Sequence, residues 1–150
     1  MPEPIIALYI GDELYPSAQS NIAITILTLQ ESTLTSPILC GVNHFENTDG
    51  LFYNGSDNPV FDCHGDYIGS PEWASIITSL SGGRNIEGIY LSFSTKALEF
   101  MSSKPTAAVK ILSYVKNDLG FDGIDLDYEG GDYSTSSPIY PVAMRLSMPV

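Results

Sequence analysis

Three carboxylates alternate with apolar residues in one short segment late in the sequence, FDGIDLDYEG (121–130). They belong to Asp125, Asp127 and Glu129. On a β-strand, alternate residues share one face, so successive carboxylates would stand about 7 Å apart at Cβ, twice the rise of about 3.4 Å per residue. A row of like charges raises the pKa of its members, and burial raises it further. The row therefore predicts at least one neutral carboxyl group, able to donate a proton near neutral pH.

Two other structures could produce the same pattern. An exposed edge strand would carry a solvated acidic face, but the preceding helical segment and the apolar flanks favour an interior strand. The start of an EF-hand calcium loop has similar spacing, yet its twelfth position holds Ser136 instead of glutamate. The apolar residues between the acids also suit a strand better than a calcium loop. Asp122 falls outside the alternation, and we expect it at the beginning of the strand in a supporting role.

The rest of the chain alternates between strand and helix patterns. Strands are predicted at PIIALYI (4–10), SPILCGVNHF (36–45), IEGIYLSF (86–93) and FDGIDLDY (121–128). Helical spacing of apolar residues appears over 71–80 and, from Pro105 to a terminating Gly120, over 105–119. The pattern over 13–36 is ambiguous, 46–71 is predicted as a long elaborated loop, and 136–146 could begin a further helix.

This alternation predicts an α/β fold. Strands separated by helices pair in parallel through crossover connections, and nearly continuous apolar strands are typical of a sheet covered by helices on its outer face. We therefore expect residues 5–10, 37–43, 87–93 and 121–128 to be parallel neighbours in that spatial order.

Charge and composition exclude several classes of ligand. The 150 residues are 43% hydrophobic and 16% charged, with a formal net charge of −12, which indicates a packed but acidic domain. Such a chain is unsuited to nucleic acid or anionic membrane surfaces, whereas a neutral ligand such as a sugar is compatible. The N-terminus has no signal-peptide pattern. The chain as written is thus expected to be cytoplasmic, or secreted if it is a processed domain.

The segment DGIDLDYE (122–129) resembles the D-x-x-D-x-D-x-E signature of family 18 glycoside hydrolases, the chitinases and endo-β-N-acetylglucosaminidases. The resemblance implies a (β/α)8 TIM barrel with this motif on its fourth strand. A complete barrel takes about 250 residues. Residues 1–150 are therefore expected to form one partial catalytic domain, with about the first four β/α units.

The resemblance also implies a mechanism in which the substrate's own acetamido oxygen is the nucleophile. Glu129 would protonate the glycosidic oxygen, Asp127 would orient the acetamido group, and Asp125 would share a proton with Asp127. Asp122 would support this network. The implied substrates are β-1,4-linked N-acetylglucosamine polymers or the chitobiose core of N-glycans, and no metal or cofactor is implied.

Family members usually carry S-x-G-G at the end of the third strand, and Ser92 is the expected equivalent of that serine. Ser81-Gly82-Gly83 is predicted instead to be a helix-to-strand turn. Half of a barrel would leave two open sheet edges, so we expect self-association, aggregation or partial order to hide them. A chitinase-like lectin and an inactive fragment remain alternatives to the hydrolase.

Three further residues have structural interpretations. Cys40, within the apolar ILCGV, is expected to be a buried small side chain, and the spacing of Cys40 and Cys63 suggests no disulfide framework. Trp73 has core spacing on its predicted helix. His44 follows the second strand, where a barrel's active face would lie, but it is interpreted as a structural or loop histidine.

Overall fold

The computed structural model describes residues 3–17 and 21–129 of the chain. Within them, the strands are β1 (Ala7–Ile10), β2 (Ser36–Asn43), β3 (Phe52–Tyr53), β4 (Tyr90–Ser94) and β5 (Gly123–Asp127). The helices are α1 (Ile22–Glu31), α2 (Trp73–Ser81), α3 (Thr95–Ser103) and α4 (Pro105–Asn117), with a short 3₁₀ turn at Asp12–Leu14. The further helix suggested for 136–146 lies outside the described residues.

The four long strands form one parallel sheet in the order β1-β2-β4-β5, and β3 pairs antiparallel with β2. The predicted order and direction of the strands are confirmed. The sheet is open, and the fold is a mixed α/β arrangement consistent with part of a TIM-barrel-like structure. Among the described residues no helix is long and apolar enough to cross a membrane.

The outer face of the sheet is covered by helices, as the apolar strands predicted. Leu91 and Phe93 of β4 are fully buried, and they pack in one core with Ile77 of α2 and Ile111 of α4. Trp73 is also fully buried, so its predicted place in the core is confirmed. Its ring contacts those of three neighbours edge-on or tilted: Tyr15, Tyr53 and Phe121.

The ambiguous segment before β2 is a helix. The strand-like sequence IAITILTL forms most of α1 because a parallel connection from β1 to β2 needs a crossover, and tertiary packing overrides a weak local preference. The threonines adapt to the helix by donating their hydroxyls to carbonyls one turn earlier, from Thr25 to Asn21 and from Thr28 to Ile24.

Helix α3 was not predicted from the sequence. It follows β4 without a loop, and the Ser94 side chain caps it by accepting the Ala97 N–H at 3.2 Å. Its buried face consists of Ala97, Leu98, Phe100 and Met101. That spacing was visible in the sequence, but a strand running directly into a helix leaves no turn residues to mark the boundary.

Strand β5 differs from the prediction in one respect. Within the described residues it pairs with β4 alone, so it is an edge of this sheet rather than an interior strand. Ile124 packs against the core as expected, but Leu126 keeps 40% of its surface exposed. The turn before the strand contains Gly120 at φ +85°, a left-handed conformation that favours glycine after a helix end.

Candidate active site

The predicted acidic row lies beside a row of serines on β4. The parallel register pairs Ser92 with Asp125 and Ser94 with Asp127. Because alternate residues share a face, these four polar side chains occupy the face of the sheet opposite the helices, while Phe93 points into the core. Ser94 and Asp127 stand at the carboxyl ends of their strands, where parallel α/β sheets bind ligands.

Asp125 is held by two hydroxyl groups from different strands. Ser92 donates to Asp125 Oδ2 at 2.8 Å, and Tyr9 donates to the same oxygen at 3.2 Å. Ser92 is only 1% exposed, so this bond satisfies a buried hydroxyl. Ser92, which was expected to be the equivalent of the third-strand serine, therefore contacts the acidic row directly.

The Tyr9 contact shows that the sheet is strongly curved. Tyr9 is on β1 and Asp125 on β5, three strand-to-strand steps apart in the sheet, which is about 14 Å along a flat sheet. A hydrogen bond between them requires the two edges to curl toward each other over a concave face. Loss of water around its hydroxyl, and then the Asp125 charge, raise the pKa of Tyr9.

Asp127 opens onto a cavity of about 280 Å³ at the ends of β2, β4 and β5, here called the strand-end pocket. Its lining combines polar groups, including Asp127 and Ser92, with the aromatic rings of Phe45, Phe52 and Tyr53. The aromatic side comes from the segment after β2, with Phe45 in the loop and Phe52 and Tyr53 forming β3. This segment is anchored where Tyr53 donates its hydroxyl to the Gly11 carbonyl at 2.7 Å. A small pocket with apolar walls and a few oriented polar groups is typical of ligand sites.

Glu129 is exposed, two residues beyond the end of β5. Its backbone N–H donates to the Thr95 hydroxyl at 2.8 Å, so the first residue of α3 fixes the backbone that carries this carboxylate. In the sequence Glu129 continues the alternation of Asp125 and Asp127, but it stands beyond the end of the strand and does not line the strand-end pocket. Thr95 thereby positions the proposed proton donor.

Asp122 lies at the opposite end of the strand. Its Oδ2 accepts the Ile89 N–H at 2.8 Å, and its own N–H donates to the Ile89 carbonyl at 2.8 Å. These two bonds join the beginnings of β4 and β5. Asp122 therefore aligns the starts of the two strands that carry the serine row and the acidic row.

The prediction for Cys40 was wrong, because the residue is only partly buried and lines the strand-end pocket. It faces the concave side of the curved sheet, and sequence hydrophobicity alone does not distinguish the two sides. Burial, followed by the charges of Asp127 and Asp125, raises the pKa of its thiol. Cys40 and Cys63 are both free thiols.

The two remaining structural interpretations agree with the contacts. The His44 ring nitrogen Nδ1 lies 2.9 Å from the Gly50 carbonyl, and the ring packs on Phe100 with centroids 4.6 Å apart. Gly82 caps the end of α2, so the Ser81-Gly82-Gly83 segment is the turn from α2 toward β4.

Sequence reasoning missed Tyr9 and Thr95, and it also missed Asn43, which lines the strand-end pocket and whose Oδ1 accepts the Ser94 hydroxyl at 2.6 Å. Tyr9 lies in an apolar run, so no local pattern predicts that its hydroxyl group contacts a carboxylate. Only the curvature of the sheet brings it to Asp125. Thr95 directly follows β4 and Asn43 is the last residue of β2. A polar residue at the end of a predicted strand is the local signal that could have identified them. Among residues 3–17 and 21–129, no three His, Cys, Asp or Glu side chains are grouped so as to hold a metal ion.

Comparison with known proteins gives one informative similarity. No family model matches the sequence, and no curated protein matches it. Among solved structures, the fold is similar to that of a GH18 chitinase from Pseudoalteromonas aurantia, with a TM-score of 0.54 and 17% sequence identity. The similarity covers 85% of this chain and 42% of the chitinase chain, so the chain spans less than half the length of that protein. At this identity the similarity establishes the type of fold alone.

Proposed function

We propose that this chain is part of a family 18-type glycosidase, a partial (β/α)8 barrel whose acidic row acts on β-1,4-linked N-acetylglucosamine chains. The placement of two neighbouring carboxylates carries the proposal: Asp125 is fixed by Ser92 and Tyr9, and Asp127, next on the same face of β5, opens onto the strand-end pocket. Glu129 follows them two residues beyond the strand. A solvated acidic edge would not need two hydroxyls from other strands to hold one carboxylate.

The proposed reaction begins with Glu129 in its protonated form. Glu129 donates its proton to the glycosidic oxygen as the bond from that oxygen to the anomeric carbon breaks. The carbonyl oxygen of the substrate's acetamido group attacks the same carbon and forms an oxazolinium-type intermediate, while the leaving sugar departs with a free hydroxyl group. Water then attacks the anomeric carbon as the bond from that carbon to the acetamido oxygen breaks, which regenerates the acetamido group. The water passes a proton to Glu129, which restores the acid.

Asp127 and Asp125 would serve the acetamido group. Asp127 would accept the amide N–H, orient the carbonyl oxygen and stabilise the positive charge that develops on the ring. Asp125 is proposed to share a proton with Asp127, and its fixed geometry would hold Asp127 in place. The phenyl walls of the strand-end pocket suit the apolar face of a sugar ring.

An NMR titration of the labelled protein tests this assignment. N,N′-diacetylchitobiose is expected to shift the signals of Ser92, Asp125 and Asp127, because these residues surround the proposed acetamido site. Cellobiose has the same linkage and a hydroxyl in place of each acetamido group, so it is the matched control and should cause much smaller shifts at equal concentration. Equal shifts with both sugars, or shifts confined to other parts of the chain, would remove support for an acetamido-sugar site.

A further inference from the structure

The turn that follows β3 places an asparagine at the edge of the strand-end pocket. Asn54 lines this pocket and is exposed to solvent. Gly55 follows it, in the one Asn-Gly pair of the sequence. The turn is closed by the Ser56 N–H, which donates to the Tyr53 carbonyl at 2.9 Å, and by the Ser56 hydroxyl, which accepts the Tyr53 N–H at 3.1 Å. Asn54 and Gly55 therefore stand at the tip of a short turn that faces water.

The turn requires glycine after Asn54. Gly55 has φ +85°, in the left-handed region that residues with a side chain rarely adopt. A Cβ built on Gly55 would lie 2.5 Å from the Cβ of Asp12, much closer than two carbon atoms pack. No side chain can therefore shield the main-chain nitrogen of Gly55. Among the described residues, no acceptor binds the Gly55 N–H.

The Asn54 side chain is held weakly, although its backbone is fixed. Its backbone N–H donates to the Gly41 carbonyl at 3.1 Å, whereas its Nδ2 donates to the Cys40 carbonyl at 3.4 Å. The second distance exceeds the range of about 2.7–3.2 Å that is typical of N–H···O bonds. Asn43 differs, because two donors, at 2.6 Å and 2.9 Å, hold its amide oxygen. The amide carbon of Asn54 can thus approach the nitrogen of Gly55.

We propose that Asn54 is a site of spontaneous deamidation, which converts an amide at the edge of the strand-end pocket to a carboxylate. The Gly55 nitrogen gives up its proton to hydroxide and attacks Cγ of Asn54. The bond from Cγ to Nδ2 then breaks, ammonia leaves with a proton from water, and a cyclic succinimide remains. Water opens the ring at either carbonyl carbon. Opening at Cγ gives aspartate, and opening at the main-chain carbon gives isoaspartate, in which the chain runs through the side chain.

Both products change the pocket without an enzyme. A carboxylate at position 54 cannot donate to the Cys40 carbonyl, and it adds negative charge to a pocket that Asp127 already lines. Isoaspartate also adds one methylene group to the main chain, which lengthens the turn that Ser56 closes. The age of the protein would thereby set the chemistry of this pocket wall. The inference does not depend on the proposed function, because the reaction requires only water and hydroxide.

Ageing of the full chain in mildly alkaline buffer tests the proposal. Peptide mass spectrometry should show complete loss of the unmodified peptide that contains Asn54 and its replacement by peptides in which OH stands for NH₂. The rate should rise in proportion to hydroxide concentration, because removal of the Gly55 proton begins the reaction. Asn117 is the internal control: it is exposed on α4 and donates to the Ser113 hydroxyl at 3.2 Å, but Asp118 follows it. Its peptide should stay unmodified over the same period.

The matched variant is Asn54→Gln, which keeps the amide but needs a larger ring that forms more slowly. It should accumulate far less isoaspartate than wild type, measured by enzymatic methylation of isoaspartyl groups with a labelled methyl donor. Asn54→Asp should reproduce the changes in the NMR signals of Cys40 and Gly41 that the aspartate product causes on ageing. Conversion of Asn54 no faster than that of Asn117, or equal isoaspartate in wild type and Asn54→Gln, would overturn the proposal.

Discussion

Replacing Glu129 by glutamine is expected to abolish hydrolysis in any form of this protein that cleaves a chitobiose substrate. Glutamine has nearly the same shape but cannot donate a proton to the glycosidic oxygen, and general acid catalysis typically contributes about 10²–10⁴-fold. Thr95 holds the backbone N–H of residue 129 rather than its side chain, so the position of the new amide should be retained. Sugar binding should therefore change little, and the loss should appear in kcat.

The matched control is Glu87→Gln. Glu87 is exposed and precedes β4, with its backbone N–H bonded to Thr35 at the other end of the sheet. The same loss of charge there should leave kcat unchanged. Measurement of kcat and KM with a fluorogenic chitobioside on both variants separates catalysis from binding. Turnover by Glu129→Gln at the wild-type rate would refute the role of Glu129 as the acid.

The 150-residue polypeptide by itself is expected to show little or no chitobiose hydrolysis and to self-associate. Within the described residues, β1 and β5 each pair with one neighbour, so both edges of the sheet leave backbone groups unpaired. Apolar side chains are exposed beside these edges, with Ile5 at 76%, Leu8 at 50% and Leu126 at 40%. Exposed apolar surface along an open edge promotes association, and an open sheet gives a sugar a cleft on one side only.

Light scattering and an assay on the same sample check this prediction. The expected result is a mass above 16.3 kDa and turnover far below about 1 per second, the lower end of ordinary enzyme rates. Leu8→Lys and Leu126→Lys place charges on the two edges and should shift the mass toward the monomer. The matched substitution Val109→Lys, at an exposed apolar position on α4, should not. A monomer that turns over substrate at ordinary rates would contradict this expectation.

The sequence allowed the sheet and its acidic row to be predicted because both depend on local patterns. Alternation of period two sets which residues share a face, and the serine row of β4 and the acidic row of β5 follow this rule in register. The order of the parallel strands follows from crossover connections, which allow few arrangements. Ser92 was predicted as the equivalent of the serine that the resembled family carries at its third strand, and the structure adds the atom that it contacts, Asp125 Oδ2.

The features that could not be predicted depend on curvature and on long-range packing. Tyr9 reaches Asp125 across 116 residues of sequence only because the sheet curls. Cys40 was assigned to the core because a parallel strand is apolar on both sides, and the sequence does not state which side is concave. Helix α1 has the β-branched residues of a strand, but it is helical because the parallel strands β1 and β2 must be joined by a crossover connection.

The central claim is that Asp127 and its neighbours bind the acetamido group as it becomes the nucleophile. A thiazoline mimic of the oxazolinium-type intermediate tests this most directly, because mimics of such states bind far more tightly than substrates. The mimic should bind wild-type protein more tightly than N,N′-diacetylchitobiose does. Asp127→Asn should weaken it by about 10–100-fold, since a hydrogen bond to a charged group contributes about 1.5–3 kcal/mol. Equal affinity of the thiazoline for wild type and Asp127→Asn would contradict the account.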